Sequence, residues 1–285
     1  MERLIFGFPR WTPDVTWSGG GWEVAYPVAN LGVLPLNRVA RSTSLTTSAT
    51  QFTMTFSAQR RVQLLGLVRH NLSIHAKMRV RIWSDASSTV LVYDSGWIDV
   101  WPPVYLPADL EWEDDNWWEG TYSAAEIAGT SATRPIWLGR LYSAHVIKVE
   151  LDDVTNAAGY VQVGLCEVAQ GWQVSVDPTL GFEEGFRFRT EQADAMGGVR
   201  YFNRREKPRV ARGEIADLPR NEAMGRGYEM WRQFDIDTPF LVLPFPDETL
   251  HWLRTAYLAR SVDPGRIAWA AANRSRYPIA YEEVL

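Results

Sequence analysis

The first part of the chain alternates polar and apolar residues in short runs, as half-buried β-strands do. Gln51–Phe56 follows a period of two, and so does Lys77–Trp83. The second run places Met78, Val80 and Ile82 on one side and charged residues on the other. The alternation therefore predicts two strands, each with one buried face.

Other runs are more continuously apolar. Val62–Val68 predicts a strand covered on both faces, and shorter strands are expected at Val90–Tyr93 and Gly96–Ile98. His145–Leu151 and Tyr160–Gly164 are predicted to pair as a hairpin. Many short strands separated by turn residues, without helices between them, are typical of an antiparallel sandwich or jelly roll.

Residues 101–140 interrupt this rhythm. Three prolines fall within seven residues at the start of the segment, which excludes an interior strand there. Long irregular loops in compact domains are uncommon and are usually functional or disordered. Because five tryptophans lie in this segment, we expect an ordered lobe inserted between two strands of the sandwich.

A second pattern begins near Trp172. Gly185–Arg189 and Val199–Asn203 are predicted to form a hairpin across a Gly-Gly turn, and Lys207–Ile215 a strand near an edge. Further strands are expected at Phe240–Phe245, with two more that lie at Trp252–Leu258 and Tyr277–Tyr281.

One segment has the period of a helix. Pro219–Phe234 places Met224, Tyr228 and Trp231 at i, i+4 and i+7, which predicts that these three share one face. We therefore predict a mainly β fold. Residues 1–172 form a β-sandwich (jelly roll) with the lobe at about 101–140, and residues 173–285 form a smaller α+β domain with one principal helix.

Composition limits which classes of function fit the chain. The chain of 285 residues has a net charge of −5, which argues against phosphate neutralisation as its main work. Fourteen tryptophans are a large excess, and Trp is enriched in protein interfaces and sugar-binding platforms as well as in cores. We expect part of this aromatic surface to be covered by another molecule.

The sequence does not support a metal site, a disulfide framework or insertion into a membrane. Cys166 is the single cysteine and lies in an apolar run, so a disulfide framework is excluded and a buried, inert thiol is expected. His70 and His75 lack the spacing of a helical metal pair, and we expect no metal and no cofactor. The apolar patch Met1–Pro9 is too short for a signal peptide, and no membrane insertion is expected.

The lobe carries the first group of candidate site residues. Its tryptophans and acids are expected to contact a neighbouring subunit; binding of sugar or calcium is the alternative, and glycosidase chemistry a third. The candidate residues are Trp101, Trp112, Asp114, Asp115, Trp117, Trp118 and Trp137.

The second group is basic. Positive charge is concentrated around residues 200–212, on an expected exposed strand pair that we favour as a protein-docking surface over a nucleic-acid contact. The candidate docking residues are Arg200, Arg204, Arg205, Arg209 and Arg212.

Several segments together resemble a discoidin-like, galactose-binding-type jelly roll found in bacteriophage tail proteins. They are Tyr26–Thr43, Leu64–Ser73, Met78–Ile82, Gly159–Gly164 and Trp172–Pro178. The C-terminal part, with Gly185–Arg189, the 219–234 helix and Pro239–Asp247, is similar to the second domain of such tail and baseplate proteins. The lobe lies outside the resemblance.

The resemblance implies a non-enzymatic structural subunit of a phage tail tip or baseplate, assembled in the host cytoplasm and located in the virion. Its expected partners are other tail or baseplate proteins and copies of itself, without nucleic acid. The alternative is a host-surface glycan-binding module of the tail. Sugar-binding residues of the family are not transferred, because members often keep the jelly roll as a scaffold only.

Overall fold

The computed structural model describes residues 3–128, 130–179, 181–262 and 265–285. The chain folds into two units. Unit 1 comprises Met1–Gln173 and Phe240–Tyr257, and unit 2 comprises Val174–Pro239 and Leu258–Leu285. The chain leaves unit 1 and returns to it, which differs from the two contiguous domains expected from the sequence.

Strands dominate both units, and the predicted mainly β fold class is confirmed. Up to residue 173 they are β1 (Ile5–Phe6), β2 (Val15–Ser18), β3 (Ala40–Arg41), β4 (Phe52–His70), β5 (Lys77–Trp83), β6 (Leu91–Asp94), β7 (Ile98–Asp99), β8 (Thr133–Asp152), β9 (Gln162–Ala169) and β10 (Trp172–Gln173). Beyond it they are β11 (Glu183–Phe186), β12 (Glu191–Asp194), β13 (Arg200–Asn203), β14 (Arg209–Pro219), β15 (Phe240–Leu243), β16 (Tyr257–Ser261), β17 (Ala268–Ala271) and β18 (Arg274–Glu283).

Helices are short. The α-helical segments are α1 (Ala124–Ile127), α2 (Arg220–Glu222), α3 (Glu229–Gln233) and α4 (Trp252–Thr255), and a π-helical segment, Ala223–Tyr228, joins α2 to α3. Single 3₁₀ turns lie at Thr12–Asp14, Val28–Gly32, Pro107–Asp109 and Thr249–His251. Within the described residues, no helix is long and apolar enough to cross a membrane.

Unit 1 is a sandwich built on two long antiparallel strands, β4 and β8. The first half of β4 pairs with β2 and with the last half of β8, which also pairs with β5. The second half of β4 pairs with the first part of β8 on one side and with β9 on the other. Register shifts after Thr55 and after Val62 interrupt the β4–β8 ladder, and such shifts bend strands. The two halves therefore form two layers of one continuous, bent sheet around one core.

Side chains from both halves meet in this core. Phe52, Met78 and Ile147 come from one half and Leu65 and Cys166 from the other, and all five belong to one buried cluster. Burial raises the pKa of the Cys166 thiol above its ordinary value. The predicted buried position of this cysteine is confirmed.

The predicted alternation is confirmed in β5, and the predicted cover on both faces is confirmed in β4. Met78, Val80 and Ile82 are fully buried, whereas the residues between them are partly exposed. In β4, Leu65 points into the sandwich core while Leu64 joins a second buried cluster. That cluster includes Leu241 and other residues of the three-stranded arrangement β10-β1-β15, so this strand is covered on both faces as predicted.

The predicted hairpin between residues 145–151 and 160–164 is wrong. Strand β9 pairs with β3 and β4, whereas β8 pairs with β4 and β5. Polar side chains explain the crossover. The Asn71 amide donates to the Tyr160 carbonyl at 3.0 Å and accepts from the Gln162 amide at 2.7 Å, which fixes the start of β9 beside the end of β4.

Unit 2 contains the sheet β16-β18-β14-β11, with β17 also on β18, and the separate hairpin β12–β13. The predicted pairing of 185–189 with 199–203 is wrong, because β11 pairs with β14 and β13 pairs with β12. A tight turn from Ala195 to Val199, with Gly198 at φ +80°, can only be closed by the residues that flank it. Strand β14 lies between β18 and the terminal strand β11, which agrees with its predicted position near an edge.

The predicted helix is present at 220–233, but the face marked by Met224 and Tyr228 is not the one that it buries. Met224 and Tyr228 are exposed, whereas Gly227 and Met230 are buried. Gly227 lies against the ring of Tyr277, where a Cβ would come within 2.4 Å of a ring carbon. The π-helical turn around this glycine changes the angular spacing of 3.6 residues per turn on which the prediction relied.

Two further predictions need correction. Residues 252–255 form α4 and the strand begins only at Tyr257, so the strand predicted for 252–258 is wrong in its first half. The Tyr122 hydroxyl, 2.8 Å from the Thr249 carbonyl and 2.9 Å from that of Leu250, helps to hold this helical entry in place. The lobe is also shorter than predicted, because β8 already begins at Thr133.

Candidate functional site

The lobe (residues 101–128) is anchored in unit 1 by buried aromatic residues. The Trp101 indole donates from Nε1 to the Leu72 carbonyl at 3.1 Å. Its ring lies 5.2 Å from the His70 ring and 6.1 Å from the Tyr122 ring, at 84° to the latter. Trp101 and Tyr122 are almost fully buried, so the base of the lobe is part of the sandwich core.

A second contact set holds helix α1. The Ser123 hydroxyl accepts from the Glu126 amide at 3.2 Å, and the Glu126 carboxylate accepts from the Ser123 amide at 3.0 Å, a capping box. The same carboxylate accepts from the Tyr105 hydroxyl at 2.7 Å and from Arg254 at 2.9 Å. This bond to Glu126 is the main reason that the pKa of Tyr105 is raised.

The turn at residues 116–120 carries the outermost tryptophans. Asn116 is buried, and its amide donates to the Thr121 carbonyl while its own carbonyl accepts from the Gly120 amide at 2.8 Å. The Gly120 carbonyl in turn accepts from the amides of Val104 and Tyr105, each at 2.7 Å. Gly120 has φ +61°, a left-handed conformation that favours glycine. This network ties the turn back to the start of the lobe.

Three tryptophans project from this turn and the loop before it. Trp112 and Trp118 are 68% and 76% exposed, and Trp117 is half-buried. Their ring centroids lie 4.7–6.3 Å apart, and every pair meets edge to face. We call Trp112, Trp117 and Trp118 the indole cluster. It is an ordered apolar surface that faces solvent.

Carboxylates surround the indole cluster. One oxygen of Asp114 accepts from the Glu111 amide at 2.8 Å, and one oxygen of Asp115 accepts from the Ala124 amide at 3.0 Å. Both side chains are exposed. The two acids therefore shape the loop through one oxygen each, on consecutive residues beside the indoles.

The charge of the lobe is strongly one-sided. It contains no Lys, Arg or His, and its acids are Asp109, Glu111, Glu113, Asp114, Asp115, Glu119 and Glu126. Glu119 pairs with His75 of the β4–β5 loop at 2.7 Å. Since like charges repel through solvent over about 10 Å, this surface disfavours anionic ligands.

This arrangement suits binding better than catalysis. Exposed indole rings offer flat apolar faces, and carboxylate oxygens accept hydrogen bonds from hydroxyl or ammonium groups. Within the described residues, no group of three or more His, Cys, Asp or Glu side chains is arranged to hold a metal ion.

Two of the predicted site residues lie outside the indole cluster. Trp101 is 4% exposed at the base, and Trp137 belongs to β8, where it packs partly buried against the second cluster. Neither lies in the indole cluster, so their assignment to an exposed binding surface is wrong. The five remaining predicted residues, Trp112, Asp114, Asp115, Trp117 and Trp118, do lie together in the lobe.

The predicted docking arginines lie on different strands. Arg200 lies in β13, whereas Arg209 and Arg212 lie in β14, and these two strands do not pair with each other. Arg209 is buried, and its Nε donates to Glu283 at 2.9 Å. Its predicted role as an exposed docking residue is therefore wrong. Arg200, Arg204, Arg205 and Arg212 are exposed.

The sequence interpretation overlooked an exposed apolar group near these arginines. Phe186, Phe188, Met196 and Val199 are all exposed in or beside the β12–β13 hairpin. Alternation of Phe186 and Phe188 with arginines was visible in the sequence. Such alternation predicts a strand, but it does not say whether other residues cover the apolar face.

Comparisons with known proteins add limited information. No family model and no curated protein matches the sequence. Solved structures that are similar include a family 32 carbohydrate-binding module of Clostridium perfringens NanJ in complex with galactose, with 12% identity, TM-score 0.37, and coverage of 58% of this chain and 98% of that one.

Two further similar structures also bind carbohydrate. Chitosan-binding module 1 from a Paenibacillus chitosanase/glucanase has 9% identity and TM-score 0.34 over 54% of this chain and 94% of the module. The lectin-binding domain of lectinolysin, a His 62 mutant complexed with Lewis b, has 12% identity and TM-score 0.36 over 55% and 92%. At such scores the likeness carries no argument, and the fold rests on the strand pairing described above.

Proposed function

We propose that this chain is a non-catalytic glycan-binding protein whose ligand contacts the indole cluster. The observation that carries this proposal is the exposure of ordered indole rings beside hydrogen-bond-accepting carboxylates. Apolar C–H faces of pyranose rings pack on indoles, while Asp114 and Asp115 accept hydrogen bonds from sugar hydroxyls.

The orientation of the rings suits a branched or kinked ligand. Trp117 and Trp118 are perpendicular, and Trp112 lies at 68° and 69° to them. The three rings therefore offer differently directed faces instead of one flat platform. A ligand would stack one residue on one ring and meet the edge of the next.

The anchoring of the lobe supports binding without a large ordering cost. The turn that carries Trp117 and Trp118 is fixed by Asn116 and Gly120, and the base is fixed by Trp101. Ligand binding therefore has fewer side chains and less backbone to immobilise, and such preorganisation increases affinity.

The acidic charge of the lobe limits which kinds of glycan are expected to bind. With seven carboxylates and no cation in the lobe, sulfated, phosphorylated or sialylated glycans are expected to bind poorly. Neutral glycans and glycans that carry free amino groups fit the charge. Ammonium groups would gain from the indole faces as well as from the carboxylates.

A glycan array with the full chain tests this function. The wild type should retain neutral or amine-bearing glycans, and Trp112→Ala or Trp118→Ala should lose them. Trp97→Ala is the matched control, because Trp97 is also exposed but lies outside the lobe. Absence of binding to all glycans, or equal binding by all variants, would contradict the proposal.

A second candidate function is a structural subunit of a phage tail tip or baseplate, located in the virion. The sequence resemblance suggests it, and the exposed β12–β13 hairpin of unit 2 favours it, since exposed aromatic residues there suit a protein partner. Tyr201→Ala combined with Phe202→Ala should leave the chain folded but reduce its incorporation into particles. Normal incorporation would count against this role.

Glycoside hydrolysis is a third, weaker candidate. Asp114 and Asp115 are adjacent on one loop, whereas a glycosidase needs two carboxyl groups on opposite sides of the scissile bond. Product analysis with a bound glycan should show no hydrolysis. Products that disappear in Asp114→Asn or Glu119→Gln would establish catalysis instead.

A further inference from the structure

The β12–β13 hairpin, which we call the arm (residues 191–203), is not covered by any described residue of unit 2. Every residue of both strands is exposed. Glu191 pairs with Asn203 and Asp194 with Arg200, and the turn between the strands closes through Ala195 and Val199. Within the described residues, these two strands form a sheet of their own.

Both faces of the arm carry an aromatic side chain. Strand alternation places Ala193 and Tyr201 on one face and Gln192 and Phe202 on the other. Tyr201 and Phe202 are 63% and 59% exposed. A two-stranded hairpin with both faces in water is marginally stable at best, so the arm is expected to need another surface.

The outer edge of the arm is basic. Arg200 lies in β13, and Arg204 and Arg205 follow directly. Arg200 and Arg205 form ion pairs with the acids of β12, Arg200 with Asp194 at 3.1 Å and Arg205 with Glu191 at 2.7 Å, but about half or more of each guanidinium-bearing side chain stays exposed. Exposed ion pairs of this kind contribute little to stability and can exchange partners.

An acidic strand edge is available in the same unit. Strand β11 ends the sheet order of unit 2 and pairs with β14 on one side. It contains Glu183 and Glu184, and all four of its residues are exposed. Edge strands present unpaired backbone N–H and C=O groups and readily accept an added strand.

We propose that β13 of one copy adds to the β11 edge of a second copy. The arginines of the arm then face Glu183 and Glu184, backbone hydrogen bonds extend the recipient sheet, and Tyr201 and Phe202 gain cover. The occupant of this surface is therefore a second copy of this chain. The inference deepens the assembly role and is independent of glycan binding.

Variants that each carry one introduced cysteine test the contact directly. Gly185→Cys is expected to be tolerated in β11, since a Cβ there meets no atom within 4 Å, and Cys166 is buried and does not interfere. Gly185→Cys protein is mixed with Tyr201→Cys or Phe202→Cys protein under mild oxidation. One of these mixtures should give a cross-linked heterodimer at least fivefold above a control that pairs Tyr201→Cys with Ala268→Cys on exposed β17.

Charge reversal provides a second readout, by analytical ultracentrifugation. Arg204→Glu with Arg205→Glu, or Glu183→Arg with Glu184→Arg, should each weaken self-association at least tenfold, and mixing the two variants should restore it. Cross-linking no higher than the control, or no recovery on mixing, overturns the inference. Incorporation into particles is measured separately, so the assembly role can stand even if this contact fails.

Discussion

The indole rings of Trp117 and Trp118 meet at 90° with their centroids 4.7 Å apart. Edge-to-face pairs of this kind add about 0.5–1.5 kcal/mol beyond their buried area. The pair is therefore arranged before any ligand arrives. Trp118 nevertheless keeps most of its surface in solvent, which separates its role from that of a core tryptophan.

Trp101 and Trp118 should respond oppositely to truncation. Trp101→Ala removes a buried ring and its hydrogen bond to Leu72, and should lower the free energy of unfolding by about 3–5 kcal/mol. Trp118→Ala should lower it by no more than about 1.5 kcal/mol, through the lost edge-to-face contact with Trp117, while abolishing ligand binding. Denaturant unfolding of both variants checks this, and a large stability loss in Trp118→Ala would contradict the assigned exposure.

Gly120 should be essential for the geometry of the lobe. An alanine Cβ would lie 2.8 Å from the Tyr105 carbonyl oxygen at a backbone φ of +61°. Gly120→Ala should therefore distort the turn and weaken ligand binding at least tenfold. The matched control is Gly96→Ala, which has φ +62° but no atom within 4 Å of the added carbon. Equal binding losses in both variants would contradict a specific role of Gly120 in the lobe.

The helix of unit 2 offers another matched pair. Gly227→Ala would place a Cβ 2.4 Å from the Tyr277 ring and should destabilise unit 2 by about 2 kcal/mol or more. Gly225→Ala meets no neighbouring atom and should stabilise the helix by up to about 1 kcal/mol. Thermal unfolding of the two variants distinguishes them. Stabilisation by both would contradict the packing of Gly227 against Tyr277.

His70 should make the fold sensitive to acid. Burial, with the nearby Arg134 charge, lowers the pKa of His70 to about 3, so the folded chain keeps this imidazole neutral. In the unfolded chain the His70 side chain binds a proton near pH 6.5. Proton binding therefore favours the unfolded state more and more as the pH falls from 6.5 towards 3, and the fold loses stability. The expected slope is up to about 1.4 kcal/mol per pH unit.

The variant His70→Asn tests this contribution. Asparagine keeps an acceptor for the Leu72 amide, which lies 3.4 Å from His70 Nδ1, but it does not titrate. Denaturant unfolding at pH 7 and pH 5 should show a smaller acid-induced loss in this variant than in the wild type. His251→Asn, at an exposed position, is the control and should keep the wild-type loss. An unchanged loss in His70→Asn would contradict the account.

The strands themselves could be predicted because their signal is local. Lys77–Trp83 alternates in sequence, and β5 has these bounds with Met78, Val80 and Ile82 buried. Pairing partners are not local. The end of β8 and the start of β9 look like a hairpin in sequence, but Asn71, about ninety residues away from Gln162, fixes β9 beside β4.

The buried side of the helix at 220–233 could not be predicted for a different reason. The prediction assumed a regular period, whereas the π-helical turn at Ala223–Tyr228 exposes Met224 and Tyr228 and buries Gly227. A glycine has no side chain that could signal burial in a hydrophobic pattern. Its close approach to Tyr277 depends on a residue fifty positions later in the chain.

The candidate site was partly accessible from sequence. Clustering of Trp112, Trp117 and Trp118 with acids in a proline-flanked loop indicated a binding lobe. The sequence could not distinguish Trp118 from Trp101, because residue type alone does not determine exposure. That difference follows from tertiary contacts of Trp101 with Leu72 and Tyr122.

Calorimetric titration of one neutral or amine-bearing glycan from the array tests the central claim most directly. We expect the wild type and Trp97→Ala to bind with the same affinity. Trp112→Ala combined with Trp118→Ala should remain folded and bind with an affinity at least a hundredfold lower. Binding by this double variant with wild-type affinity would contradict the assignment of the indole cluster as the ligand surface.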